Sequence, residues 1–182
     1  MSEYYSVQPM EACVPVDEYL DTCVNVEKFL GYCRECGNYK HRWSCPPFDF
    51  EPVTLWKQYR TFRVFARILT VVPGTGLPAM LKGMMEEKSR LMHELLELEH
   101  SIPGSLALSA GGCSLCGNNC TRPRGEPCCK PNEMRYSIDA LGGDMSETME
   151  RYFQKPILWI KNGEIPDYLT LVGGLLLREE NQ

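Results

Sequence analysis

Seven of the ten cysteines in this 182-residue chain lie at metal-ligand spacing in two short loops, and this pattern constrains the fold more than any other. The first loop covers residues 33–47 and the second loop covers residues 111–131, with a long cysteine-free segment between them. The seven are Cys33, Cys36 and Cys45 in the first loop and Cys113, Cys116, Cys120 and Cys128 in the second. Thiolates spaced so closely can reach one soft metal centre from a single loop. We therefore predict that both loops bind metal.

Composition and the start of the chain bear on how these thiols are interpreted. A hydrophobic content of 43% and a charged content of 24% are those of an ordinary globular protein, and we expect one metal-binding domain over residues 1–182. Residues 1–5 lack the basic start and apolar core of a secretion signal, so we expect a cytoplasmic location. Because thiols stay reduced in the cytosol, the clustered cysteines are interpreted as metal ligands, with redox-active dithiols and disulfides as the alternatives.

Charge and hydropathy argue against several other functions. The formal net charge of −5 argues against general nucleic-acid binding, which usually needs a basic face. No apolar run approaches the roughly 20 residues of a membrane-spanning helix. No phosphate-binding glycine loop, nucleotide fingerprint or nucleophile elbow is present. We expect neither a nucleic-acid nor a membrane partner, and the sequence leaves the oligomeric state open.

The apolar periodicity predicts an α+β fold: a small mixed sheet of about four strands, one long packing helix, and both cysteine loops at one end of the sheet. Strands are predicted over 61–72, 105–110, 157–160 and 168–177. Helical spacing predicts a long helix over 78–99 and shorter helices over 52–59, 137–141 and 145–153. The strand–helix–strand unit from 61 to 110 predicts a right-handed crossover between parallel strands. Residues 24–30 fit either a short strand or a helix.

Two metal chemistries fit the cysteine spacing. Zinc typically takes two Cys-x2-Cys pairs, and a joint zinc site built from both loops would leave three of the seven thiols unexplained. The pairs are Cys33/Cys36 and Cys113/Cys116. A [4Fe–4S] cubane takes three closely spaced cysteines and a more distant one, often followed by proline. The second loop fits that description with one x3 gap, and Cys45-Pro46 gives the first loop the same ending, so we expect one or two iron–sulfur clusters, with zinc as the alternative.

The first loop offers only three cysteines, so a site there needs a fourth ligand. The candidates are His41, Cys13, Cys23, Cys129 and a group external to the chain. A three-cysteine cluster with an open iron would be a substrate-binding or catalytic site, whereas a four-cysteine cluster suits electron transfer. Cys13 and Cys23 are otherwise interpreted as buried hydrophobes, because free cysteine is among the most buried residue types.

Aromatic and basic residues flank the thiols in both loops. We expect Tyr39, Trp43 and Arg122 to contact the bound cofactor. Aromatic rings would shield the centre from water and oxygen, and nearby positive charge favours the thiolate form of cysteine. Core packing for the rings and ordinary solvation for the charges are the alternatives.

Three motifs together are similar to the signature of an uncharacterised family of predicted metal-binding proteins, one of the domains of unknown function. They are Cys33-x2-Cys36-x2-Tyr39-x3-Trp43-x-Cys45-Pro46-Pro47, Cys113-x2-Cys116-x3-Cys120-x2-Pro123-x-Gly125-x-Pro127-Cys128 and Ser137-x2-Ala140-Leu141-Gly142-x-Asp144. The resemblance runs from about residue 25 onward, and the family looks common in anaerobic bacteria and archaea. It implies metal binding through an iron–sulfur group, without an established reaction. Cys129 departs from the family pattern, where a basic residue is expected, so no ligand role is carried over to it.

These observations favour an iron–sulfur protein that exchanges electrons with a partner enzyme in anaerobic metabolism. Hydrogen bonds to the sulfurs, burial and net charge would set the reduction potential of the cluster. A zinc module that presents its loops to another protein is the second interpretation. The third is an enzyme with an open three-cysteine metal site, for which the sequence shows no convincing acid–base pair.

Substitution of one second-loop cysteine tests the ligand assignment. We expect Cys116→Ser to remove bound metal and to destabilise the second loop, because the free energy of metal binding is also folding free energy. Cys23→Ser is the control and should cost only packing. Metal content per chain and the free energy of unfolding are the measurements, and a Cys116→Ser protein with its full metal content would contradict the assignment.

Overall fold

The computed structural model describes residues 4–178, in which a four-stranded sheet has helices on both of its faces. The strands are β1 (Tyr5–Pro15), β2 (Thr61–Val71), β3 (Leu106–Leu108) and β4 (Tyr168–Leu177). The α-helices are α1 (Val16–Cys23), α2 (Val26–Arg34), α3 (Pro52–Trp56), α4 (Leu77–Ser101) and α5 (Met145–Phe153). Short 3₁₀ helices cover Arg122–Arg124 and Asp139–Leu141.

Strand β2 carries buried apolar side chains on both faces, and this explains why the sheet is covered on both sides. The side chains on one face pack against α1, α3 and α5, and those on the other pack against α4. The first set is Phe62, Val64, Ala66 and Ile68, all fully buried, and the second contains Phe65 and Leu69. A strand with buried apolar side chains on both faces needs a layer on each side, and α4 and the group of α1, α3 and α5 supply the two layers.

The sheet order is β1-β2-β4-β3, and every pair of neighbouring strands is antiparallel. Strands β2 and β3 point the same way, because each of them is antiparallel to β4. The prediction that the strands before and after α4 are parallel is therefore confirmed. However, β4 lies between these two strands in the sheet. The sheet is antiparallel rather than mixed, because its parallel strands are not neighbours.

Local chemistry explains where the helices begin. The Asp144 side chain accepts hydrogen bonds from the backbone N–H groups of Ser146 and Glu147 and caps α5. The side chain of Asn25 accepts from the N–H of Lys28 and caps α2. Helix α4 starts with a proline in its first turn, where the missing N–H costs nothing. Its buried face packs on β3 and β4 through Met80, Leu91 and Leu95.

The α+β class, the count of four strands and the long helix are confirmed, and the predicted bounds of α5 and β4 match the structure. The strand predicted over 157–160 is wrong: these residues have no ladder within the described part of the chain and line an apolar cavity instead. Strand β1 takes its place in the count. Residues 26–30 belong to α2, Asn25 caps that helix, and Val24 before it forms an isolated antiparallel bridge with Gly143. Within residues 4–178, no helix has both the length and the apolar character needed to cross a membrane.

The close contact between β4 and β2 yields a stability prediction. A Cβ atom at Gly174 would lie 2.2 Å from Cε2 of Phe62 and 2.9 Å from the carbonyl oxygen of Arg63. We expect Gly174→Ala to lower the free energy of unfolding by about 1–3 kcal/mol, the usual cost of overpacking a core. Gly31→Ala in α2 is the control, since nothing lies within 4 Å of that position and alanine favours a helix. Denaturant unfolding measures both, and equal effects would contradict the prediction.

Candidate metal centre

The second loop is closed at its base by hydrogen bonds next to β3. The N–H of Ser109 donates to the carbonyl oxygen of Tyr136 over 2.8 Å, and Ser109 also forms a parallel bridge with Ser137. The Ser109 hydroxyl donates to the carbonyl oxygen of Gly111, also over 2.8 Å. The residues before and after the loop are thus held together, and the thiols project from a fixed frame.

The structure places all four predicted ligands of the second loop around one small cavity. Cys113, Cys116, Cys120 and Cys128 line a space of about 10 Å³, together with Arg42, Trp43, Leu115, Lys130 and Met134. Burial raises the pKa of the Cys113 thiol, and the neighbouring Cys128 and Cys120 raise it further. The positive charge of Lys88 lowers the pKa of the same thiol. The cavity therefore combines four soft donors with cationic side chains that offset their charge.

Cys129 lies beside this group, although the sequence offers it only as one candidate for the fourth ligand of the first loop. Its sulfur is 3.2 Å from that of Cys116. The hydrogen bond between the two side chains is the largest influence on Cys116 and raises its pKa to about 11. All ten cysteines are free thiols in the structure. Sequence spacing did not reveal this pair because the two residues are adjacent only after the loop folds back.

The first loop forms a second group of thiols around a larger cavity. Cys33 and Cys36 line a space of about 490 Å³, and Asp139 lines the same space. Burial raises the pKa of the Cys33 thiol to about 11, and the charges of Asp139, Cys45 and Cys36 add to the effect. Burial likewise raises the pKa of Cys45, again with Asp139 and Cys36 among the causes. Two thiols and the carboxylates of Asp139 and Asp144 therefore line this cavity, whereas Cys45 does not, and neither carboxylate was among the predicted ligands.

The two loops are joined by side chains that donate to backbone groups of the other loop. The guanidinium of Arg122 donates to the carbonyl oxygens of Arg42, Cys45 and Pro47. In return, the guanidinium of Arg42 donates to the carbonyl oxygen of Gly117. Arg122 was expected to contact a cofactor, and the structure shows that three of its bonds hold the first loop.

Further contacts between the loops involve Trp43 and Ser44. The indole N–H of Trp43 donates to the Thr121 hydroxyl over 3.2 Å, and the Arg122 guanidinium lies 5.3 Å from the centre of the Trp43 ring. The hydroxyl of Ser44, which is fully buried, accepts a hydrogen bond from the N–H of Cys113 over 2.9 Å. Trp43 thus lies at the junction of the loops as well as along the second-loop cavity. Tyr39 is half-buried and its carbonyl oxygen lies 2.7 Å from Nδ1 of His41.

Lys88 of α4 lies between the two groups of thiols. Its ammonium group donates to the carbonyl oxygen of Gly112 over 2.5 Å. Burial lowers the pKa of Lys88, and the negative charges of Cys113, Asp139 and Cys45 act in the opposite direction. A Cβ atom at Gly112 would lie 3.5 Å from the sulfur of Cys45, so the two loops approach each other closely here. The helical pattern of α4 did not indicate this role for Lys88.

The other candidate ligands lie in different surroundings. Cys13 is exposed on β1 opposite Arg63. Cys23 is buried in the core beside Tyr19, and the Thr22 hydroxyl donates to its sulfur over 3.5 Å. Nδ1 of His41 faces the Tyr39 carbonyl, and the side chain is exposed. The expectation that Cys13 is a buried hydrophobe is wrong, because β1 is an edge strand and Cys13 faces solvent.

The donor set fits a soft metal group. Within residues 4–178, no three His, Cys, Asp or Glu side chains are close enough together to hold a single ion in their present arrangement. The sulfur donors are nevertheless collected in two separate groups, one in each loop, with basic side chains beside them. Thiolates favour zinc and iron–sulfur groups over hard cations such as calcium.

The fold and the two thiol groups define a cysteine-rich protein of the metal-binding class. Residues 21–177 match the family described as predicted metal-binding protein (DUF2284), and the chain belongs to that family. This match confirms the resemblance drawn from the three motifs. No curated protein and no solved structure matches the chain.

The contacts of Arg122 yield a prediction about the junction of the loops. We expect Arg122→Lys to lower the free energy of unfolding of the metal-free chain by about 2 kcal/mol, because lysine lacks the planar fork that reaches several acceptors. Hydrogen exchange of residues 39–47 should accelerate while the sheet stays protected. Arg124→Lys is the control, since its contact with Glu126 is exposed on both sides and should leave the free energy of unfolding unchanged. Unchanged exchange in the first loop of Arg122→Lys would show that other contacts hold it.

Proposed function

We propose that this protein holds an iron–sulfur cluster in its second loop and exchanges electrons with a partner enzyme in anaerobic metabolism. The observation that carries the proposal is the common cavity lined by Cys113, Cys116, Cys120 and Cys128. Three of these are close in sequence and one is more distant, which is the arrangement that cubane clusters use. Membership in a family described as predicted metal-binding supports the general class.

The residues around the cavity have roles that follow from their positions. The Trp43 ring and the side chains of Leu115 and Met134 cover the sulfurs and limit the access of water. The cations Arg42 and Lys130 line the same cavity and offset the charge of four thiolates. A bound cluster supplies one-electron transfer, and its potential depends on these charges and on burial.

The surface beside the second loop supports an exchange of electrons with another protein. Leu115 is 37% exposed and lies between two ligands, and Cys129 next to Cys128 is exposed as well. On this side, a single layer of side chains therefore separates the four thiols from solvent. A partner that docks on Leu115 would approach the cluster closely without contacting the core of the protein.

Zinc in the second loop is the second candidate, and the size of the cavity favours it. A space of about 10 Å³ holds one group the size of a water molecule. Four thiolates in tetrahedral geometry form a closed structural zinc site. In that case the metal would stabilise the loops for protein contact and would carry no electrons.

Metal and sulfide analysis of protein purified without air separates the two candidates. We expect a brown protein with about four irons and matching sulfide for each occupied cluster, and an absorption band that bleaches on reduction by dithionite. A Cys113→Ser variant should lose the second-loop share of the iron, whereas Cys13→Ser on exposed β1 should keep it all. A colourless protein with stoichiometric zinc and no sulfide would overturn the electron-transfer proposal.

A further inference from the structure

Two thiols of the second loop are in direct contact with each other. The Sγ atoms of Cys116 and Cys129 are 3.2 Å apart, and both thiols are free. A disulfide bond is about 2.05 Å long, so the two sulfurs need to approach by only about 1 Å to form one. Within residues 4–178, no other hydrogen bond joins two cysteine side chains. This contact sets the pair apart from the remaining cysteines.

A reversal of the chain brings these two thiols together. The 3₁₀ helix Arg122–Arg124 ends at Gly125, whose φ of +70° turns the backbone. The Thr121 hydroxyl donates to the carbonyl oxygen of Pro127 over 2.8 Å and holds the returning segment. The same hydroxyl accepts from the indole N–H of Trp43, which fixes the turn to the first loop. The contact between the thiols is therefore a result of the fold of the loop.

Cys129 is not required for the metal site proposed above. Four cysteines line the second-loop cavity, and Cys129 is not one of them. The side chain of Cys129 is exposed, whereas that of Cys116 is half-buried. A thiol that contacts one predicted ligand and faces solvent can react without first leaving a metal.

We propose that Cys116 and Cys129 form a thiol–disulfide exchange site for low-molecular-weight disulfides such as oxidised glutathione. The exposed Cys129 thiolate attacks one sulfur of the substrate, so a mixed disulfide forms and one substrate thiolate leaves. The Cys116 thiolate then attacks the Sγ atom of Cys129, the bond between the two cysteines forms, and the second substrate thiolate leaves. The two leaving thiolates take up the two protons that the cysteines lose. The chain gives up two electrons and the substrate gains them.

The second step is favoured by the position of the pair. Cys116 and Cys129 are 13 positions apart in sequence, and their sulfurs are in contact. The attack is intramolecular, and groups held in contact react as if they were present at very high concentration. A thiol from solution has to compete with a sulfur that is in place before it arrives. The mixed disulfide therefore resolves to the intramolecular disulfide.

Exchange at this site controls the metal of the second loop, a consequence that rests on the proposed function. Cysteine binds metal as the thiolate, and the Cys116 sulfur is no longer a thiolate once it is bonded to Cys129. In the metal-loaded protein, the second step breaks the bond between Cys116 and the metal. Oxidation thus removes one of four proposed ligands, and reduction of the disulfide by a thiol restores it.

Treatment of the full-length chain with oxidised glutathione, without air, tests the site. Wild type, Cys129→Ser, Cys116→Ser and Cys13→Ser are treated as purified and again after a chelator has removed the metal. Trypsin cleaves after Arg124, so the two cysteines fall in separate peptides, and mass spectrometry of the unreduced digest identifies their cross-link.

The cross-link should form in wild type and in the control Cys13→Ser, whose exposed thiol lies on β1. In Cys116→Ser, we expect Cys129 to retain one glutathione, because no thiol is left to resolve the mixed disulfide. Cys129→Ser should form no cross-link. Absence of the cross-link from metal-free wild type, or a cross-link between other cysteines, would overturn the exchange site.

Iron, sulfide and zinc counted per chain separate this proposal from the function proposed above. We expect oxidised glutathione to release the second-loop metal, about four irons for a cubane, from wild type but not from Cys129→Ser. Loss of metal from Cys129→Ser before oxidation would overturn the proposal, because Cys129 would then be a ligand. A cross-linked wild type with all its metal would support the exchange site and contradict the ligand role of Cys116. Release of zinc without sulfide would support the exchange site and overturn the iron–sulfur function.

Discussion

The guanidinium of Arg122 holds the two cysteine loops together, and the geometry of both thiol groups depends on it. Backbone carbonyls in a loop without regular structure need hydrogen-bond donors. Arg122 donates to three carbonyl oxygens of the first loop. Charged donors form the stronger class of hydrogen bond, and a planar fork fixes direction as well as distance. Arg42 and Ser44 complete the junction from the other side. Each loop is therefore ordered by the other, and neither group of thiols would keep its arrangement alone.

The close approach of the loops also joins the two thiol groups electrostatically. The partly buried ammonium of Lys88 acts on Cys113 of one group and on Cys45 and Asp139 of the other. One cation thus compensates the negative charge of two sites. Because the field of a charge is strong in a poorly solvated interior, a change of charge at one site alters the electrostatic potential at the other.

The sequence predicted those elements whose signals are local. The bounds of α5 and β4 follow from local sequence: the structure shows that α5 begins after the aspartate cap Asp144, and β4 is an apolar run. Strand β1 was missed, since it contains Pro9 and Pro15 and lies at the edge of the sheet, where one side needs no apolar residues. The run 157–160 resembles a strand in sequence, because strand residues and residues that line an apolar cavity are both apolar. The position of Asp139 in the cavity of Cys33 could not be predicted from sequence spacing, because it depends on a tertiary contact at Gly142.

The position of β4 in the sheet determines when, during synthesis, the support of the second loop is completed. Strand β3 carries the second loop, is three residues long, and pairs with β4 in the described part of the chain. Strand β4 ends at Leu177 and follows both loops in sequence. Ribosomes release the N-terminal part of a chain first. The thiols of both loops therefore leave the ribosome before the strand that pairs with β3, and the sheet that supports the second loop is completed last.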